Sequence, residues 1–272
     1  MSRVHGVLER GTLGQAGRRI VLAGLILTET RHAPRTTIDS HAHIRAGINL
    51  VLGGRYGERV RGSFQIHPPA TLIVKPAGEP HANRFEESGA RCLLLEFELT
   101  AIERLGMMAV PLSRPEVLRL GSLAGLVPLL LRALRAELPP VALEEAVLRL
   151  LEHTGGQYRL TSDRGHPGWL NAARDRIHAT TPKRVRLGEL AMEAGVHPAH
   201  LSETFRATFG VTITRYVERL RLERAVTALA ATDDPVGRIA LQAGFYDHSH
   251  FSRVFRRATG VTSSEFRGSL RS

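Results

Sequence analysis

Six side chains in residues 243–266, AGFYDHSHFSRVFRRATGVTSSEF, carry the chemistry best suited to a polyanion: His248, Ser249, Ser252, Arg253, Arg256 and Arg257. Wound as an α-helix, that spacing gathers them on one face. A guanidinium stays charged at physiological pH and presents a planar fork of donors, which pairs two-pronged with guanine O6 and N7 or with phosphate oxygens. Serine and histidine add shorter hydrogen-bonding groups beside it. Phe251, Val254, Phe255 and Ala258 fall on the other face, an apolar stripe able to pin the helix to a core. Asp247 can cap the first turn, and Gly260 can end the last one in a left-handed conformation.

A short helix over residues 235–243, ending at Gly244, comes just before. The two together have helix-turn-helix syntax, in which the second helix enters a DNA major groove by its N-terminal end. The unit is written twice. Gly188, Leu190, Ala191, Ala194 and Gly195 recur 49 positions later as Gly237, Ile239, Ala240, Ala243 and Gly244. Leu201, Ser202, Phe205, Arg206, Gly210, Val211 and Thr212 recur 50 positions later as Phe251, Ser252, Phe255, Arg256, Gly260, Val261 and Thr262. The one-residue slip falls inside the turn, where an insertion costs little. Residues 213–231 read as a long amphipathic helix that joins the units at fixed separation.

Arg253 is the first candidate for a base contact, with His248, Ser249 and Ser252 reading beside it. In the first unit Ala199, Ser202 and Glu203 hold the matching positions. Alanine can touch only a thymine methyl, while Glu203 could accept from a cytosine amino group or merely repel phosphate. The second unit is therefore expected to discriminate between sequences more than the first. Arg206, Arg256 and Arg257, with Lys183 and Arg184 on the basic connection 180–186, are expected on phosphate, where they position the domain without reading sequence. Any one of these arginines could equally belong to a solvated face; the set beside two turn units reads as a DNA surface.

On these motifs, GFYDHSHFSRVFRRATGVTSSEFR, LAMEAGVHPAHLSETFRATFG and RYVERLRLERA, residues 169–267 resemble the AraC/XylS family of transcription regulators. The resemblance implies seven helices, two of them in successive major-groove turns on one face of DNA. It also implies double-stranded DNA as partner, a homodimer, a small-molecule effector, and RNA polymerase if the protein is an activator. It implies no cofactor and no enzymatic activity. Two departures stand out: Ser263 where the family commonly has proline, and a first reading helix that opens His197, Pro198, Ala199 without a serine cap.

Length and charge bound the rest. A chain of 272 residues can bury two separate cores, and 37 Lys+Arg against 26 Asp+Glu leave a formal +11 that favours anionic partners. Residues 168–272 hold 16 basic and 10 acidic residues, so the excess is concentrated where the turn units lie. The single cysteine, Cys92, excludes an internal disulfide and a cysteine-rich zinc site, and its apolar surroundings suit a buried small residue. The start of the sequence lacks the apolar core of a signal peptide, and the longest apolar runs, 20–27 and 120–131, are too short to span a bilayer. A soluble cytoplasmic protein with no membrane partner is expected.

Upstream, the apolar runs 20–27, 47–52, 71–74 and 92–97 are strand-sized and bounded by turn residues, which suggests an antiparallel sandwich or small barrel. PAGEPHAN and SHAHIRAGINLVLGG resemble the two motif stretches of the cupin superfamily, so a jelly-roll sensor domain is implied. His41, His43 and His81 then occupy positions resembling cupin metal ligands, and three imidazoles can hold a transition metal. The glutamate that normally follows is missing, since residues 44–52 contain no acid. A pocket-lining or structural role is the expectation for these histidines, and a metal-dependent cupin enzyme with an accessory DNA-binding module is the rival. His67 is a further candidate of unknown direction.

Residues 111–153 turn helical and leucine-rich, with one helix over 118–134 kinked at Pro128 and a second over 141–153. They would cap the barrel, form a dimer interface, or both. The expected class is α+β in two domains: a cupin-like barrel at 1–110, helices at 111–154, a linker at 155–167, and an all-α domain with two helix-turn-helix units at 168–272.

Overall fold

The computed structural model describes residues 7–8, 13–161, 167–181 and 185–271. Alternating side chains make the first hundred residues a sheet, with strands β1 (Val7–Leu8), β2 (Gln15–Leu22), β3 (Leu25–His32), β4 (Thr37–His43), β5 (Ala46–Val60), β6 (Ser63–His67), β7 (Thr71–Lys75) and β8 (His81–Phe97). A ninth strand, β9 (Glu116–Arg119), joins later. β5 and β8 pair antiparallel along their whole length, from Ala46↔Phe97 to Val60↔His81. β8 takes β3 and β4 on its other edge, and β5 takes β7 and β6. β2 extends β3, β9 extends β7, and β1 runs parallel to β4.

The long pair bends at bulges beside Gly53 and between Gly54 and Tyr56. Gly54 has φ 68°, and a Cβ there would collide with the carbonyl of Gly89 on the partner strand, so no other residue fits the bend. Period-two alternation then buries both sheet faces. Leu93, Leu95 and Phe97 join the core beneath the helices, whereas Ala90 and Cys92 face an interior shared with Val51, Tyr56, Ile73 and Phe85. The apolar run 20–27, expected as one strand, is the tip of the β2–β3 hairpin: Ala23 and Gly24 both take positive φ and form a two-residue turn.

The leucine-rich segment departs furthest from its expected form. After α1 (Leu99–Leu105) and a 3-10 stretch (Gly106–Ser113), the chain does not start one kinked helix but returns to the sheet as β9. A 3-10 turn (Gly121–Gly125) follows, and α2 (Leu126–Leu134) begins there. Pro128 sits in the first turn of α2, where its missing N–H has no intrahelical partner to lose, so it starts the helix and kinks nothing. The next helix, α3 (Pro140–Thr161), carries on beyond residue 153, and the stretch expected as a linker from 155 is helical to 161.

The all-α part comprises α4 (Gly168–Thr180), α5 (Leu187–Glu193), α6 (Pro198–Phe209), α7 (Ile213–Ala231), α8 (Val236–Gln242), α9 (His248–Thr259) and α10 (Ser263–Arg271). It has two apolar cores, and α7 serves both. Tyr216, Val217 and Leu220 pack with Leu201, Phe205 and Phe209 around the first turn unit. Leu222, Ala225, Val226 and Leu229 pack with Phe251, Val254, Phe255 and Phe266 around the second. That second core continues without a break into α2, α3 and the sheet.

Phe255 is fully buried where these layers meet. Phe255→Ala should cost about 3–5 kcal/mol of stability, read as a lower urea midpoint in equilibrium unfolding.

Candidate functional site

Each reading helix is fixed from its apolar side and open on the other. In α9, Phe251, Val254, Phe255 and Thr259 are buried, and the expected Ala258 is exposed in place of Thr259. Threonine tolerates burial here because its hydroxyl donates to the Phe255 carbonyl at 2.8 Å. Asp247 caps the helix, its Oδ1 accepting from the His250 amide at 2.6 Å, and Gly260 ends it with φ 78°. The first unit repeats this geometry with other residues. His197 replaces the missing serine cap, its Nδ1 accepting from the Ala199 amide at 3.3 Å, and Pro198 opens the first turn. Gly210 closes α6 with φ 71°, and its N–H meets the Arg206 carbonyl as that of Gly260 meets Arg256. Ser263 costs little because Thr262 and Glu265 form a reciprocal capping box at the start of α10.

His248, Ser249 and Arg253 are exposed at the N-terminal half of α9, and Ser252 is partly so. The Ser252 hydroxyl lies 3.4 Å from His248 Nε2, which makes these two one hydrogen-bonding group beside Arg253. In α6, Ala199 and Glu203 are exposed, but the Ser202 hydroxyl turns back to donate to the Pro198 carbonyl at 3.0 Å. The first unit therefore presents fewer reading groups than the second. Arg206 and Arg256 are exposed and make no ion pair with a described residue. Arg257, expected on phosphate, meets Glu218 of α7 at 2.9 Å and ties the second reader to the connecting helix. Lys183 and Arg184 lie outside the described residues. Sequence reading passed over Tyr246, which is 86% exposed in the turn just ahead of α9.

The barrel interior is the second place where functional groups converge. The ligand atoms of His41, His43 and His81 lie within 4.8 Å of one another. His41 and His81 point Nδ1 at the carbonyls of Asp39 and Glu79, at 2.8 and 3.0 Å, while His43 Nδ1 and His81 Nε2 are buried with no hydrogen-bond partner. Burial, and then the nearby Lys75 charge, hold His43 and His81 neutral, with pKa values pushed down to about 3 and about 2. The acid absent from the sequence motif comes from elsewhere: Glu58, 2% exposed, sits opposite Asn83 in the ladder. It accepts from Lys75 at 2.7 Å and from Asn83 at 3.1 Å, and lies 3.5 Å from His67 and 3.9 Å from His81. Its carboxyl stays ionised well below the usual range because Lys75 and His67 outweigh the burial penalty. A cavity of about 560 Å³ opens beside this cluster, walled by Val60, Arg61, Ile73, Arg114, Glu116 and Val117 among others.

Three imidazoles alone could ligate a divalent cation, but the ammonium of Lys75 borders the same space and Glu58 is committed to it. The donor set lacks the free carboxylate of a cupin-type metal centre, because the buried acid beside the histidines, Glu58, is paired with Lys75.

Two short helices meeting at a glycine turn, with exposed arginine on the second, define each unit as helix-turn-helix, and the chain carries two of them. A family model described as a helix-turn-helix domain matches residues 190–269. The arabinose operon regulatory protein of Salmonella typhimurium is 33% identical over 81 residues, covering 30% of this chain and 29% of that protein. An HTH-type transcriptional regulator of Mycobacterium tuberculosis is 38% identical over 82 residues, covering 30% of this chain and 32% of that one. The chain spans less than a third of the length of these curated relatives. Among solved structures, ToxT from Vibrio cholerae aligns over 92% of this chain and 100% of its own at 10% identity and a TM-score of 0.38. Residues 190–269 thus hold a helix-turn-helix domain similar in sequence to those of these regulators. No helix among the described residues is long and apolar enough to cross a membrane.

Removal of the cap by Asp247→Ala should destabilise the protein by about 1 kcal/mol in urea unfolding, with Asp247→Asn close to wild type.

Proposed function

We propose that this protein is a sequence-specific DNA-binding transcription regulator, reading duplex DNA with α6 and α9 and controlled through the barrel. The observation that carries the reading is the duplicated unit with exposed Arg253, His248 and Ser249 on one helix and exposed Arg206 and Arg256 on equivalent helix positions. Arg253 reads a base, while Arg206 and Arg256 anchor phosphate. The names of the relatives, an operon regulatory protein and a transcriptional regulator, support the same reading. A small ligand in the barrel cavity, a homodimer and, for an activator, contact with RNA polymerase complete the proposal. In this reading sensing and packing belong to the residues up to the end of α3 and DNA binding to those from 168 onward.

The experiment is selection of bound duplexes from random DNA, then titration against the selected site and mismatched variants. Arg253→Ala should weaken the selected site by about 1–3 kcal/mol and blur the preference at one base pair, whereas Arg256→Ala should weaken all duplexes alike and lower the salt slope by about one. Ala199→Gly should alter sequence preference less than Ser249→Ala does, because the second unit is the stronger reader. Equal affinity for every duplex at physiological salt would instead make the protein a binder without sequence preference.

A metal-dependent enzyme is the reading from another class. The missing motif carboxylate argues against it, since Glu58, the buried acid near the histidines, is taken up by Lys75 at 2.7 Å. Metal analysis of the purified protein should find far less than one equivalent of iron, manganese or nickel; a full equivalent lost in His81→Ala would favour the enzyme.

A further inference from the structure

One twelve-residue stretch belongs to the cavity at one end and to the second turn unit at the other. Arg114, Pro115, Glu116 and Val117 wall the barrel cavity. Glu116 and Val117 open β9, which is held to β7 by the ladder from Val74↔Glu116 to Thr71↔Arg119, and Arg119 Nη1 also donates to the Thr71 hydroxyl at 2.7 Å. Leu118, Leu120, Leu123 and Ala124 then enter the same apolar core as Leu222, Val226, Phe251 and Phe255. The backbone comes close as well. A Cβ on Gly121 would lie 3.0 Å from Glu223 Cγ on α7, and one on Gly125 would collide with the Thr259 carbonyl at the end of α9. Glu223 is largely covered there, paired with Arg219 at 3.1 Å and facing the charge of Arg119. The first turn unit has a separate core that contains none of these residues.

We infer that residues 114–125 are a transmission strap, through which occupation of the barrel cavity changes the seating of α9 and so the affinity of the second reader, and not of the first. This rests on the reading of the chain as a DNA-binding regulator with a ligand pocket in its barrel. A molecule pressing on Val117 displaces β9, and β9 leads within a few residues to a turn with no side chain to yield between it and α9. Packed elements of this kind shift as units, so a small displacement at one end reaches the other.

A covalent filler stands in for the unidentified ligand. Val117 is 42% exposed, whereas Cys92 is 1% exposed with its thiol pushed up to about 12 by burial, so a maleimide reacts at Val117→Cys alone. On the selected duplex, pyrene-maleimide-labelled V117C should bind at least about fivefold more weakly than unlabelled V117C, with less than about a twofold change on nonspecific DNA. The loss should fall at the base pairs that Arg253→Ala blurs. Adding Gly125→Ala, or Arg119→Gln should the glycine variant fail to fold, should shrink the effect of the label below about twofold. Labelled Glu87→Cys, on an exposed site away from the cavity, should bind as unlabelled protein. The inference is overturned if labelled V117C binds like unlabelled V117C, or if the label acts equally with and without Gly125→Ala and Arg119→Gln. Loss of the functional reading looks different: unmodified wild-type protein would then show no preference for the selected duplex.

Discussion

A helix can hold arginines out to a polyanion only if something grips its other side. α9 meets this requirement with two phenylalanines and a valine buried to within 2% exposure, and α6 with a leucine and two phenylalanines buried completely. Burial of each such side chain contributes roughly 1.5–3 kcal/mol, an amount that would be lost if the helix rolled to hide its charged face. The exposure of Arg253, Arg206 and Arg256 therefore follows from the apolar stripe behind them. The caps complete the arrangement, since Asp247 and His197 leave the N-terminal turn, where the readers sit, with defined geometry.

Charge is handled in opposite ways at the two ends of the molecule. On the outer face of α6 and α9 the arginines remain exposed, where water solvates them. Inside the barrel, burial of Glu58 and Lys75 would be prohibitive for either alone, so the two meet at 2.7 Å, and Asn83 meets a further lone pair of the carboxylate. The surrounding His43 and His81 are held neutral chiefly by burial, to which the Lys75 charge adds. His43 Nδ1 and His81 Nε2 are thereby left in the interior with hydrogen-bonding capacity that no described residue uses.

Legibility in the sequence followed the range of the physics involved. The turn units were readable because helix period, caps and glycine turns are local, and because duplication stated them twice. The readers' exposure was readable for the same reason. Glu58 was not: it stands 15 residues after His43 and 23 before His81, and only the ladder places it opposite Asn83. The available signal was its alternation with Tyr56 and Val60 on one strand face. The stretch 118–134 misled because Leu118 and Leu120 also fit a strand and a turn, and the pairing of β9 with β7, a non-local contact, decided the outcome. Arg257 looked like its neighbour Arg256 until α7 brought Glu218 beside it.

The two halves of α7 carry this contrast into mechanics. Tyr216, Val217 and Leu220 face the first core, and Leu222, Ala225, Val226 and Leu229 face the second, so a single helix is held by both. Only the second core is shared with the sheet and α2. The barrel and the second turn unit are consequently parts of one packed body, while the first unit has a separate core and joins that body through α7 and a smaller contact of α6 with α3. Opening the shared interface would expose Leu123, Val127 and Phe255 together to water, so the second unit leaves its seat as a whole or not at all. The helix with the richer set of exposed polar groups, α9, is thus the one packed into the same core as the sheet.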